Sequence, residues 1–442
     1  MTKHLRIAIC LLAALPCIAF AASQSAKDES LSARVDRVLT ETPVIDGHND
    51  LPWEIRDKFG NVGNLDLAAD TSSLHGKDGD DVHLMTDIPR ARKGHLGAQF
   101  WSVWIPASVT GPEAVQMTLE QIDIVRTMVA KYPKDLEMAY TAGDIERIEK
   151  SGRIASLIGV EGGHQINNSL AVLREYYALG ARYMTLTHFK NTDWADSATD
   201  DPVHHGLTAF GRAVVHEMNR LGMLVDLSHV SPDTMKAALE TTQAPVIFSH
   251  SSARALDDHP RDVPDDVLRM VKQNHGIVMA NFYPTFVSAD VARWHADRAG
   301  VSAKFEALYV GQPDRAKAAI EKWEHAHPLP KATIAQVADH IDHIRKIAGV
   351  ESVGIGSDFD GIETTPTGLD GVDKYPALFR ELARRGWTDD ELADLAGRNL
   401  LRVMREAEAV AKRLQAQEAP SHATIEVDID AKNGSKEGAT GV

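Results

Sequence analysis

Pro43-Val44-Ile45-Asp46-Gly47-His48-Asn49-Asp50-Leu51-Pro52-Trp53 is a short apolar run that ends in a histidine and an aspartate two residues apart. Such a run reads as a buried strand. Alternate side chains of a strand share a face, so His48 and Asp50 point the same way at its end, where both reach one cation. Asp46 and Asp50 also suit a turn beside Gly47 and Pro52. The ligand reading therefore depends on whether the later chain supplies comparable groups at comparable strand ends.

It supplies them in a regular pattern. Apolar residues 154–160 run into Glu161-Gly162-Gly163-His164, residues 182–187 into His188, residues 223–227 into Ser228-His229, and residues 245–248 into Ser249-His250. Residues 276–281 form a further apolar run with Tyr283 just beyond, and residues 352–356 lead to Asp358-Phe359-Asp360-Gly361. Helical spacing fills the gaps at 113–131, 141–151, 170–179 and 207–221, after the capping sequence Ser231-Pro232-Asp233, and at 264–272, 289–348 and 375–415. With residues 97–105, whose Trp101 and Trp104 read as core or rim packing, the strands fall near positions 44, 100, 156, 184, 225, 247, 279 and 354. Eight fully apolar strands, most of them separated by a helix, predict a parallel sheet closed as a (β/α)8 TIM-type barrel of the metal-dependent hydrolase kind. An open doubly wound sheet is disfavoured because no Gly-rich phosphate fingerprint follows the first strand. Residues 61–92, polar and aperiodic, read as a long excursion over the barrel mouth. The barrel is expected to occupy residues 23–417 as one domain. Residues 418–442 read as a flexible polar tail, with an alternation over 423–429 that could add an edge strand.

The chain opens with Lys3, His4 and Arg6, an apolar run over 7–20 and the small residues Ala19, Ala21 and Ala22. This reads as a cleaved export signal over residues 1–22 and predicts a periplasmic or secreted protein. The run is shorter than the roughly 20 apolar residues that a membrane span needs, and Cys17 follows Pro16, which disfavours lipid attachment. Cys10 and Cys17 are the only cysteines, so the processed chain would have no thiol. A metal site must then use histidine and carboxylate, which points to zinc or a similar divalent ion. The formal charge of −16 argues against nucleic acid or an anionic membrane as partner.

His48, Asp50, Glu161, His188, His229, His250 and Asp358 all follow the C-terminal ends of apolar runs, which in a barrel form one face and one pocket. Three histidines and two carboxylates exceed the needs of one tetrahedral zinc with an open position. The economical count is two ions: one on His48 and Asp50, one on His229 and His250, with Glu161 shared. Two cations a few ångströms apart lower the pKa of a bridging water and polarise a carbonyl, which is hydrolytic chemistry. His188 and Asp358 remain as an oxyanion donor and a proton carrier, or as partners that orient the ligands.

Val44 to Asp50, Gly159 to His164, Thr185 to His188, Asp226 to His229, Phe248 to Ser252 and Gly356 to Gly361 together resemble, in order, the motifs of the membrane (renal) dipeptidase family. The resemblance runs from about residue 42 to 405. It implies a (β/α)8 barrel with two Zn2+ per chain, Glu161 bridging, that hydrolyses dipeptides with free ends by a metal-bridging hydroxide. D-residues on the C-terminal side are often tolerated, and β-lactam rings are sometimes opened. It assigns His188 to the oxyanion, Asp358 to the proton, Arg261 to the substrate carboxylate, a role its guanidinium fork suits, and Tyr283 to the neighbouring pocket. The chain lacks the cysteines of the mammalian members, and residues 432–442 hold no hydrophobic tail for a lipid anchor. No membrane anchor is therefore expected, and a homodimer would have to form without a disulfide. The competing readings are another metal amidohydrolase, acting on cyclic amides, lactones or N-acyl amino acids, and a periplasmic metal-binding protein, which would leave His188 and Asp358 idle.

Overall fold

A computed structural model describes residues 30–426. The expected export signal, with Cys10 and Cys17, lies outside them. Eight parallel strands are numbered in chain order: β1 (Val44–Asn49), β2 (Leu96–Trp104), β3 (Ile154–Glu161), β4 (Ala181–Thr185), β5 (Leu224–Asp226), β6 (Ile247–Phe248), β7 (Ile277–Ala280) and β8 (Val353–Ile355). Each neighbours the next, β1 pairs with both β2 and β8, and β2 pairs with β3 from Ala98↔Ala155 to Trp104↔Glu161, so the sheet closes. This is the expected barrel.

The strands are mostly apolar because neither face meets water; β3 is buried at all eight positions. Alternate residues Ala98 and Phe100, Ala155 and Leu157, and Ile277 and Met279 share one cluster with Tyr183, Leu224 and Ile247, contributed strand by strand around the sheet. The other faces join a larger cluster with the surrounding helices. Helices form where the spacing placed them: Gly111–Lys131, Ala142–Lys150, Leu170–Leu179, Ala209–Leu221, Pro232–Thr241 and Asp265–Asn274. Most are started by a hydroxyl that accepts an amide hydrogen bond, as Thr141 does from Asp144 and Ser169 from Val172.

The structure adds detail at several places. Residues 61–92 are an ordered excursion: a 3-10 turn at Val62–Asn64, a two-stranded hairpin of Leu74–His75 with Asp81–Val82, and a helix Ile88–Lys93 capped by Asp87. A short strand, Leu136–Met138, lies beside β3. A helix over residues 30–41 precedes β1. The helical material over 289–348 is three helices, Ala289–Leu308, Pro313–Ala326 and Ile334–Ala348, broken at the left-handed Gly311 and at Pro328 and Pro330. Residues 418–426 contain no strand, although Ala423 and Ile425 pack on the core; the rest of the expected alternation lies outside the described residues. No helix among the described residues is long and apolar enough to cross a membrane.

Candidate active site

The C-terminal strand ends open into one cleft of ≈ 610 Å3, and Asp50, Glu161, His188, His229, His250, Arg261, Tyr283 and Asp358 all line it. His48 is buried directly beneath. Every residue expected at the site is thus brought to one mouth.

Glu161 sits at the centre, and its two oxygens face different groups. Oε2 lies 3.4 Å from His48 Nε2 and accepts the Ser102 hydroxyl at 3.0 Å. Oε1 lies 2.9 Å from His229 Nε2, 3.5 Å from His250 Nε2 and 3.6 Å from His188 Nε2. His48 Nε2 is 3.1 Å from Asp50 Oδ2 and 3.9 Å from Asp358 Oδ1. Three sets of donor atoms converge closely enough to hold an ion: His48, Glu161 and His250; Glu161, His188 and His229; His48, Asp50 and Asp358. His188 and Asp358 therefore stand within ligating reach rather than apart from it.

Protonation separates the histidines. The Trp104 indole N–H, a donor only, points at His188 Nδ1 at 3.4 Å, so the proton of a neutral His188 sits on Nε2, which faces the cluster as a donor. His250 is the reverse. Ser249 Oγ gives its hydrogen to Asp226 Oδ2 at 2.6 Å and accepts from His250 Nδ1 at 2.8 Å, leaving the Nε2 lone pair for a cation. His48 Nδ1 likewise meets the Tyr183 hydroxyl at 2.8 Å.

Electrostatics agree with a cation site. Burial, reinforced by Arg261 and neighbouring imidazoles, pushes His229 and His250 well below their ordinary pKa, and burial brings His188 down to about 4 against the pull of Glu161. These rings are neutral, the form that ligates. Burial opposes the ionised Glu161, yet His48, His188 and the hydrogen bond from His229 hold it well below the usual carboxylate range. Burial also opposes a charged His48, but Tyr183, Glu161 and Asp50 raise it well above the usual value. Its Nε2 is buried, has no hydrogen-bond partner among the described residues and is ringed by carboxylates, which is a place for a cation. Asp358 goes up to about 8, driven by burial, eased by His48 and raised further by Asp50 and Glu161; Asn281 Nδ2 holds its Oδ2 at 2.9 Å.

Two buried carboxylates set the strand ends. Asp46 Oδ1 accepts the Ser357 amide at 2.9 Å, and its Oδ2 accepts the Ser357 hydroxyl and the Tyr375 hydroxyl, each at 2.5 Å, which locks β1 to the segment bearing Asp358. Asp226 accepts the Ser249 amide at 2.8 Å and hydroxyl at 2.6 Å, which locks β5 to the segment bearing His250. His229 and Asp358 hold left-handed φ of 68° and 67°, strained for residues with a Cβ. The loop beyond β4 supports them from outside: the Ser197 hydroxyl donates to the His188 carbonyl at 2.6 Å and the Ala198 amide to the His229 carbonyl at 2.8 Å.

Arg261 is buried, with Nη2 on the His250 carbonyl at 3.2 Å, Nη1 near Ser251 Oγ at 3.4 Å and its guanidinium 5.2 Å from the Phe286 ring centroid. The Tyr283 ring meets the same Phe286 edge-on at 4.9 Å, and the Tyr283 amide donates to Asn281. Aromatic residues the sequence did not mark complete the wall. Trp104, expected as core or rim, lines the cleft beside Trp53, and the exposed Phe189 packs 4.1 Å from the His188 ring.

A parallel eight-stranded barrel with a buried histidine and carboxylate cluster at the C-terminal strand ends defines a metal-dependent hydrolase. Residues 32–418 match the family described as membrane dipeptidase, peptidase family M19, and the chain belongs to it, a metallo-dipeptidase by class. An uncharacterized dipeptidase of Schizosaccharomyces pombe is 42% identical over 386 residues, covering 84% of this chain and 82% of that protein. The probable dipeptidase PvdM of Pseudomonas aeruginosa superposes with a TM-score of 0.73 at 24% identity over 87% of this chain and all of that one. A metallopeptidase of Rhodobacter sphaeroides, solved with a phosphinate mimic of L-Ala-D-Ala, gives 0.66 at 22% identity over 83% of this chain and 99% of that one.

Proposed function

We propose that this protein hydrolyses dipeptides with free amino and carboxyl ends, L-D pairs included, using two zinc ions that share Glu161. The observation that carries this is the divided use of the Glu161 carboxylate, one oxygen toward His48 and the other toward His229 and His250. Those four residues with Asp50 form an all nitrogen and oxygen donor set that suits zinc. Ions held there supply water of lowered pKa and a polarised carbonyl.

The remaining work falls to the chain. Arg261, whose buried Nε has no partner among the described residues, presents an unspent donor and a fixed charge to the substrate carboxylate. His188, with its proton on Nε2, donates to the oxygen that gains charge as the peptide carbonyl is attacked. Asp358 takes the proton released by the attacking water and returns it to the departing amine, and Asn281 keeps its carboxyl aimed inward. The ligand of the Rhodobacter enzyme, a mimic of L-Ala-D-Ala, supports the L-D part of the reading.

A library of L-L and L-D dipeptides, each with C-amidated and N-acetylated counterparts, tests it on purified protein with metal analysis alongside. The expected outcome is turnover of free dipeptides and loss of it on capping either end. Equal rates on free and amidated substrates would instead favour a broader metal amidohydrolase.

A further inference from the structure

The cleft wall beside Asp50 carries acids for which peptide hydrolysis has no use. Asp360 is 8% exposed and lines the cleft. Its Oδ1 accepts the Met85 amide at 2.6 Å, and the Thr86 hydroxyl adds a further contact. Its buried Oδ2 has no hydrogen-bond partner among the described residues. A buried carboxylate oxygen left without a partner in a residue that lines a cleft is costly unless something else meets it. Glu54 enters the same cleft from one helical turn beyond Asp50, and Glu363 stands at the rim. Lys58 also lines this wall, 2.8 Å from Asp57 and 41% exposed, where solvent weakens its pull on Glu54.

The position of this wall fixes which part of a substrate meets it. Arg261 bonds the His250 carbonyl and so marks the His229–His250 side of Glu161. Asp360 belongs to the other side: a Cβ on the next residue, Gly361, would come within 2.1 Å of Asp50 Oδ2. A dipeptide with its carboxylate at Arg261 and its peptide bond at Glu161 therefore turns its N-terminal residue toward Asp50, Asp360 and Glu54. The α-amine, one bond from the scissile carbon, reaches the vicinity of Asp50. Glu54 lies further out, at the distance of a long side chain.

We infer that this wall selects dipeptides whose N-terminal residue carries a cationic side chain, lysine or arginine, received by Glu54 and the bare oxygen of Asp360. The inference rests on the dipeptidase reading above and names its substrate class. Trp53 and Trp104, packed edge to face at 4.5 Å, offer the aliphatic stem an apolar path.

The test compares kcat/KM for Lys-Ala, Arg-Ala and norleucyl-Ala, with Ala-Ala as reference, on the metal-loaded enzyme and on Glu54→Gln and Asp360→Asn. Norleucine keeps the stem and removes the charge. The wild type should favour Lys-Ala over norleucyl-Ala by about ten- to a hundredfold, as a charge-assisted contact predicts. In Glu54→Gln the ratio should fall toward one, chiefly through KM. A wild-type ratio near one, or a ratio that both variants leave unchanged, overturns the inference. A uniform fall on all four substrates overturns it too, since the acids would then serve the shared α-amine. Absence of turnover on every dipeptide would strike the dipeptidase reading itself, and the selectivity with it.

Discussion

His188 and His250 look alike in the chain, each just past an apolar run, and differ in which ring nitrogen carries the proton. The difference comes from a single neighbour in each case, an indole N–H beside His188 and a serine already committed to Asp226 beside His250. Asp358 is distinguished the same way, by the Asn281 amide that fixes one oxygen and leaves the other near His48. Replacing Asp358 with asparagine keeps size and shape but removes the capacity to move a proton. The variant should keep its metal content and KM and lose roughly 10²–10⁴-fold in kcat. Loss of an ion on metal analysis would make Asp358 a ligand instead. The donor set was legible in the sequence because each member directly follows an apolar run. Tyr183, Asp46 and Asp226 were not: Tyr183 passes for a core residue and Asp46 for a turn former, and the roles of all three depend on contacts with other strands. Phe189 and Trp53 were missed for a similar reason: an aromatic ring beside a ligand carries no local pattern that separates lining from packing.

At the level of the strand, Gly159 of β3 shows how an element clears space for the site. A Cβ there would meet Cζ of Tyr183 at 1.9 Å, inside the ring whose hydroxyl holds His48 Nδ1. Gly159→Ala should push that ring aside, free His48 to rotate and weaken metal affinity by about 10–100-fold, the usual cost of losing a partner that orients a ligand. Competition with a chelator would measure it, and unchanged affinity would show that the ring has another place to go. On the outer layer, Glu217 of the helix Ala209–Leu221 is buried and accepts Arg220 at 2.8 and 2.9 Å, Arg174 at 3.1 Å and the Ser421 amide at 3.2 Å. Burial works against its charge, but these partners hold its pKa below the ordinary carboxylate range. A depressed folded-state pKa gives stability that is present above the unfolded-state value and is lost as pH falls through the folded-state value. Glu217→Gln should therefore cost about 1.5–3 kcal/mol in denaturant unfolding near neutrality and progressively less in acid. It should also expose residues 418–425 to proteases. Eight strands and most helices could be read from their periods, whereas Leu136–Met138 and the hairpin at residues 74–82 could not, since two or three residues are too few to show a period.

The closed barrel gathers the candidate ligands from the ends of β1, β3, β5 and β6 and places Asp358 after β8, so ions held there would also fasten the sheet. Close to two divalent ions per chain are expected, with both lost in Glu161→Ala because that carboxylate faces both groups; elemental analysis checks the count, and one ion in the wild type would end the binuclear proposal. Removing the ions should lower Tm, since what binds only the folded state stabilises it by RT ln(1 + [L]/Kd). An unchanged Tm would mean that the cluster is equally content without them. Eight apolar strands, six of them ending in a candidate ligand or catalytic residue, made this architecture readable, because only closure brings those ends to one mouth. The two aspartate clamps differ in one respect that bears on how the molecule comes into being. Asp226 and Ser249 are 23 residues apart in the chain, while Asp46 and Ser357 are 311 apart. For flexible segments, that difference in loop length is worth about 2 kcal/mol of closure entropy. The half of the centre holding His229 and His250 can thus assemble from adjacent strands while the chain is still being made, and the half holding His48 must wait until the last strand returns to the first. If two ions bind as proposed, this connectivity favours the His229–His250 half forming first, with catalytic competence arriving only at ring closure.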